Sequence, residues 1–214
     1  MSSKGMTNGK VLNMLFRFKR ENTKLRVAYV ISRFFEPFLW LAIVGLATIF
    51  SGYFDDYNRL SWGIILLVFL GVLPLLTLWL GLKKGKVKDI DFSKREERTS
   101  FIMVIIFYWF LGALLTWALA GPRLVSTILI SAIIVGVAVL IINLYWKVSV
   151  HTLGITVSAL FINQLFGWQY LWLFIFIPLV AWSRWAQKKH TTAQLLGGCG
   201  LGILAWVLLV SFGY

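Results

Sequence analysis

The sequence has a single cysteine, two histidines and eight acidic residues in 214 positions. The lone Cys199 excludes an intrachain disulfide and a cysteine pair for a metal, and its Gly-rich apolar surroundings predict a packed helix position. Charged residues make up 14% of the chain, against ~25% in a soluble domain, so an ordinary soluble fold is excluded. Short alternating strands are also missing, which excludes a transmembrane β-barrel. No repeat and no dividing linker appears. The first 36 residues are basic and interrupted, without the compact apolar core of a cleavable signal peptide.

What is present is apolar. Hydrophobic residues make up 59% of the chain and the mean hydropathy is +0.82. Several runs approach or exceed the ~18–20 residues that cross a bilayer as helix. The expectation is an all-α, polytopic membrane bundle of six to seven transmembrane helices. The runs fall at about 37–54, 61–82, 101–120, 124–146, 152–166, 171–185 and 193–212. Residues 1–36 read as a basic tail followed by an amphipathic interfacial segment, with 10–34 lying outside the core. Residues 37–214 read as one transmembrane domain.

The net charge of +13 would point to nucleic acid in a soluble protein. In this setting it is read as orientation, with membrane lipids and not nucleic acid as partners, because lysine and arginine flanking spans set topology. With seven spans, the polar stretches 83–100, 147–151 and 184–192 share one membrane face with the N-terminus. Nineteen of the 21 basic residues then lie on that face, and only Arg59 and Arg123 lie on the other. The positive-inside rule makes the crowded face cytoplasmic.

The stretch 183–194 carries costly polar groups at a membrane boundary. Read as one helix, Ser183, Gln187, His190 and Gln194 form a single stripe. The other histidine, His151, lies in the stretch 147–151 on the same predicted face. A phosphate ester needs fixed cations around its oxygens, a nucleophile in line with the leaving oxygen, and an acid for that oxygen. Arg95, Arg98 and Arg184 are candidate clamps, and the two histidines are the candidate nucleophile and acid. Ser149 is a candidate cap for the helix that follows it.

These residues carry a resemblance. Ser183-Arg184-x5-His190-x3-Gln194 and Val148-Ser149-Val150-His151 resemble the third and second motifs of the type 2 phosphatidic acid phosphatase family, whose core is shared with vanadium haloperoxidases. The family's patterns are Ser-Arg-x5-His-x3-Asp and Pro-Ser-Gly-His. Its first motif, Lys-x6-Arg-Pro, is matched poorly: Thr99 follows Arg98 and Asp91 stands where the lysine belongs, while Lys88 and Arg95 have the spacing but Glu96 follows. The resemblance covers about residues 88–194. It implies a phosphatase-like core for residues 37–214 and hydrolysis of a lipid phosphate or prenyl diphosphate without metal or cofactor. It implies His190 as nucleophile, forming a phosphohistidine, and His151 as general acid. Phosphate would be bound by Arg184, Ser149, Lys147 and an arginine at 95 or 98. Gln194 takes the place of the aspartate that orients the nucleophile. It accepts an N–H but brings no charge, and in the serine-protease template loss of such an aspartate lowers the rate ~10⁴-fold. Glu96 or Glu97 is a candidate substitute. Val150, in place of glycine, narrows the space beside Ser149. The alternative is a catalytically weak or inactive protein that binds anionic lipid headgroups or a membrane partner. The oligomeric state is left open.

Overall fold

A computed structural model of the protein describes residues 23–53, 58–92 and 95–213, with Arg95 and Gly213 described by their backbone alone. The described residues are all-helical. In chain order the helices are α1 (Thr23–Phe34), α2 (Pro37–Ile49), α3 (Arg59–Lys83), α4 (Arg95–Ala118), α5 (Arg123–Asn143), α6 (Val150–Leu165), α7 (Phe176–Ala186) and α8 (Thr192–Gly213). A 3₁₀ stretch, Leu171–Ile175, leads into α7.

Local chemistry sets the helix ends. Pro37 opens α2, and the residue before it, Glu36, is extended, as the ring of a following proline requires. Within α3 the five residues Val68–Val72 widen into a π-helical segment just ahead of Pro74. Proline has no N–H to donate and its ring crowds the carbonyl one turn back, so the ladder loosens there. Glu96 and Glu97 lie in the first turn of α4, where the helix dipole favours negative charge. Asn163 closes α6: its amide accepts from the Tyr170 N–H and donates to the Tyr170 carbonyl, both at 3.0 Å.

The polar stripe over 183–194 does not lie on one helix, and the chain breaks between the two apolar runs predicted to end at about 185 and begin at about 193. α7 stops at Ala186 and α8 begins at Thr192. Lys188 takes a left-handed φ of 56°, so that the Lys188 and Lys189 N–H groups fold back onto the Trp185 and Arg184 carbonyls. Ser183 therefore belongs to α7 and Gln194 to α8, and the stretch 187–191 between them forms a corner instead of a continuous stripe.

The site is positioned by α6, which packs against α2, α7 and α8. The approach of α8 to α6 depends on two glycines. A Cβ at Gly198 would lie 2.2 Å from Thr152 Oγ1 and 2.3 Å from the Ser149 carbonyl, and one at Gly202 would lie 2.8 Å from Thr156 Cβ. These residues are one helical turn apart, as in the small-residue pattern that lets membrane helices meet backbone to backbone. The contact brings the start of α8 to the start of α6. There the Ser149 N–H donates to the Gln194 carbonyl at 3.1 Å, and the Thr152 hydroxyl donates to the Leu195 carbonyl at 3.0 Å.

All seven predicted apolar runs are helical, but they differ in reach. Among the described residues, four helices are long and apolar enough to cross a membrane: 59–83, 96–118, 123–143 and 192–212. A fifth candidate arises only if α1 and α2, which meet at 41°, are counted as one bent span. α6 has 16 residues and rises about 24 Å, short of the ~30 Å hydrocarbon core. Phe107, Phe110 and Trp117 of α4 and Ile130 and Ile141 of α5 stand exposed, an apolar surface that suits lipid rather than water.

Segment 10–34 departs from expectation where it is described. Residues 10–22 lie outside the described residues. Thr23–Phe34 is amphipathic, yet it docks on α7 and buries Ala28 and Ser32 completely. The reason is polar: Ser32 accepts from Arg184 Nη1 at 2.6 Å, and the Ala28 carbonyl accepts from the Gln187 amide at 3.1 Å.

Candidate functional site

The three polar stretches that sequence alternation puts on one face meet in space. Arg98 Nη2 donates to the Val148 carbonyl at 2.7 Å. Arg184 Nη2 and Lys189 Nζ reach the two oxygens of Asp91 at 2.6 and 3.0 Å. Together they enclose a cavity of about 70 Å³ whose wall includes His151, His190, Arg184, Arg98, Lys147, Glu36 and Asp91. A buried water needs ~10–15 Å³ by this kind of measure, so the space holds several waters or one phosphoryl group.

His190 sits on the 187–191 corner, and its ring is fixed by α8. Its Nδ1 lies 3.2 Å from Gln194 Oε1, and the Thr191 N–H donates to the same atom at 3.1 Å. An atom that accepts from a backbone N–H is the amide oxygen, and an amide oxygen cannot donate. His190 Nδ1 therefore carries the proton, and its Nε2 keeps a free lone pair. Burial lowers the His190 pKa to about 4, assisted by the positive charges of Arg184, Lys147 and Arg98 and opposed by the bond to Gln194. At neutral pH the ring is uncharged.

His151 opens the first turn of α6, where Ser149 is the N-cap; the Thr152 N–H approaches Ser149 Oγ at 3.4 Å. His151 Nε2 lies 3.7 Å from Glu36 Oε2, beyond hydrogen-bond range. Four buried polar atoms of the wall have no hydrogen-bond partner: His151 Nε2, Glu36 Oε2, Arg98 Nη1 and Arg184 Nε. Three of these belong to side chains that bind anions.

Arg184 is 1% exposed and already engaged. It donates to Ser32 as well as to Asp91, and Arg33 Nη2 adds a third cation to Asp91 at 3.2 Å. Burial alone would raise the Asp91 pKa, but Arg184, Arg33 and Lys189 together hold it well below the usual carboxylate range. Lys147 is pushed down by burial and then by Arg98. Five cations surround two carboxylates here, so the cavity favours an added anion.

Of the residues singled out from sequence, His151, His190, Arg184, Arg98 and Lys147 share the cavity wall. Gln194 stands behind His190. Ser149 caps α6 and lies behind the wall rather than in it. The Arg95 side chain lies outside the described residues. Glu96 is exposed and Glu97 accepts from the Lys88 N–H at 2.9 Å, so neither serves as the substitute carboxylate. The carboxylates that are present, Glu36 and Asp91, were not anticipated in that role, nor were Ser32 and Arg33. A signal did exist. With eight acidic residues in the whole chain, a glutamate abutting an apolar run is costly unless it is paired. Val150 lines the cavity, as expected of a side chain that narrows it.

No family model matches the chain, and neither a curated protein nor a solved structure matches it.

Proposed function

We propose that this is a multi-pass membrane protein that hydrolyses a lipid phosphate or prenyl diphosphate through a phosphohistidine on His190. One observation carries the reading. A histidine whose Nε2 lone pair is left free by its bond to Gln194 shares a cavity of phosphoryl size with a second histidine and with Arg98 and Arg184. Nε2 attacks the terminal phosphorus, and the bond to the leaving oxygen (the lipid oxygen of a monophosphate, the bridging oxygen of a diphosphate) breaks with its electron pair going to that oxygen. His151, protonated when the phosphate's negative charge occupies the cavity, gives the oxygen its proton. Water then attacks the phosphohistidine, neutral His151 takes the water's proton, and inorganic phosphate leaves. The arginines hold the equatorial oxygens throughout. In this reading the seven apolar helical segments all cross, with α6 and α7 as short spans, and the site lies at the cytoplasmic face. The resemblance to type 2 phosphatidic acid phosphatases agrees with it.

A second reading rests on Asp91. A carboxylate already paired with Arg184, Arg33 and Lys189 competes with any incoming phosphate, and Gln194 lends the nucleophile no charge. Both features suit a protein that binds anionic headgroups and turns over slowly or not at all. Phosphate release from a prenyl diphosphate and from a short-chain phosphatidate, by wild type and by His190→Ala, separates the two. Release that the substitution abolishes supports the phosphatase. Equal release by both proteins, or none by wild type, overturns it.

A further inference from the structure

An apolar cavity of about 110 Å³ lies inside the bundle between α2, α3, α4, α5, α6 and α8. It begins where the polar cavity ends: Pro37, Phe38, Phe101, Ile102 and Val150 line both. From there the wall runs in one direction along each helix. It descends from Phe101 to Trp109 on α4, from Val150 to Phe161 on α6, and ends on α8 at Leu209. Eleven residues of α6 rise about 16 Å. That is about half of the ~30 Å hydrocarbon core, the depth of one leaflet. Spread over this length, 110 Å³ is too little for two hydrocarbon chains side by side.

We propose that this passage binds the single hydrocarbon chain of a phosphate ester whose headgroup sits between His151 and His190. The inference deepens the proposed phosphatase reading by naming its substrate class as single-chain lipid phosphates rather than diacyl phosphatidate. The chain enters between Phe38, Phe101 and Val150 and lies along α6, with its end against Trp109 and Leu209. Burial of the chain is the hydrophobic term of binding and grows with each methylene until the passage is filled. Three donors in the wall have no protein partner: Trp109 Nε1, Ser131 Oγ and Trp206 Nε1. The double bonds of an isoprenoid offer them weak π acceptors, which a saturated chain does not.

The test uses phosphonates, whose carbon–phosphorus bond resists hydrolysis, so binding is read apart from turnover. Affinities of the full-length protein in detergent are measured for methylphosphonate, a series of linear alkylphosphonates, a farnesyl phosphonate and a diacyl phosphonate. Affinity is expected to rise with chain length and level off near an extended length of about 16 Å. The diacyl compound is expected to bind at least tenfold more weakly than the best single chain. Ala132→Phe, which narrows the passage from α5, is expected to weaken the long single chains at least tenfold and leave methylphosphonate unchanged. Tighter binding of the farnesyl arm identifies an isoprenoid source, and tighter binding of the linear arm an alkyl or acyl one. Affinity independent of chain length, or a diacyl compound that binds as well as a single chain, overturns the proposal. The chain-length series on wild type decides the matter even if Ala132→Phe fails to fold. Chain-length-dependent binding with no turnover of any lipid phosphate would overturn the phosphatase and leave this passage standing.

Discussion

Gln194 holds His190 by its amide oxygen, 3.2 Å from Nδ1, and the Thr191 N–H identifies that atom as oxygen. The arrangement sets the tautomer of the proposed nucleophile as an aspartate would, without an aspartate's charge. Gln194→Ala should therefore leave the ring free to turn and take the other tautomer. A loss of turnover of about 10²-fold is expected, the lower end of what a positioned acid or base contributes. Gln194→Glu should restore the charge, raise the His190 pKa from about 4, and increase turnover by stabilising the cationic phosphohistidine. Rate–pH profiles of the three proteins check both. A Gln194→Glu protein no faster than wild type would favour the headgroup-binding reading.

His190 also makes stability depend on pH. Its folded pKa is about 4 against an ordinary value of 6.5. Between those values the unfolded chain holds the extra proton, so stability rises with pH across that window and falls as pH is lowered through it. The displacement corresponds to about 3 kcal/mol at most. Thermal melts from pH 4 to pH 7 should show a steeper decline toward acid for wild type than for His190→Gln, which has no proton to gain. Parallel curves would show that His190 is not buried as described.

Much of this was legible in the sequence. The apolar runs marked the positions of the helices, and alternation brought 83–100, 147–151 and 184–192 to one face. The four-residue spacing of positions 190 and 194 anticipated the Gln194 contact, although His190 itself lies just ahead of α8. What stayed hidden depends on contacts between residues far apart in the chain. Ser32 meets Arg184 across 152 positions and Asp91 meets it across 93, and no local period encodes either. The mixed pattern of Thr23–Phe34 reads equally well as a surface helix or as one docked by a buried serine. The break between α7 and α8 was legible as the polar stretch 184–192 between two apolar runs, but the left-handed turn at Lys188 that makes it was not. α6 already reads in the sequence as a short run, about 152–166, and its 16 residues fall below the length of a full span.

Asp91 is the second place where an internal group stands in for what a phosphatase would supply. It satisfies Arg184, Arg33 and Lys189 at once. Asp91→Asn removes the carboxylate paired with the buried Arg184, and loss of one partner of a buried pair destabilises by about 3–5 kcal/mol. The same change frees Arg184 for an oxyanion. The variant should melt lower than wild type in buffer without phosphate and recover more than wild type when phosphate is added. Equal phosphate-dependent shifts in the two proteins would mean that Asp91 does not compete for the anion site.

The close approach of α8 to α6 makes a prediction about packing that a neighbouring glycine controls. Gly198→Leu would force a side chain into Thr152 and the Ser149 carbonyl. Overpacking of this kind destabilises by about 1–3 kcal/mol, and it would also separate Gln194 from Ser149. Gly200, two residues on, has open space around its missing side chain. Gly200→Ala should be neutral or stabilise by up to about 1 kcal/mol through helix propensity. Melting temperatures and phosphate binding of the two variants should diverge. A Gly198→Leu protein that behaves like Gly200→Ala would contradict the packing of α8 on α6.

Sidedness follows from where the basic residues fall. With seven crossing segments, 19 of 21 lysines and arginines share the face of the site, and Arg59 and Arg123 are the two exceptions. Five of the nineteen, namely Arg33, Arg98, Lys147, Arg184 and Lys189, line the cavity or pair with Asp91. They are needed at the site whichever way it faces, and so carry no topological information. Setting them aside still leaves a large majority on the same side. Over short loops that asymmetry is the dominant orientation signal. His151 and His190 are accordingly expected at the cytoplasmic face. The native Cys199 is first replaced by alanine; single cysteines are then placed at Ser3 and at Asn58, and intact cells are treated with a membrane-impermeant thiol reagent. Labelling at position 58 and protection at position 3 is the expected result. The reverse pattern would put the site on the outer face, and labelling at both positions would mean that an even number of crossings, zero included, separates them.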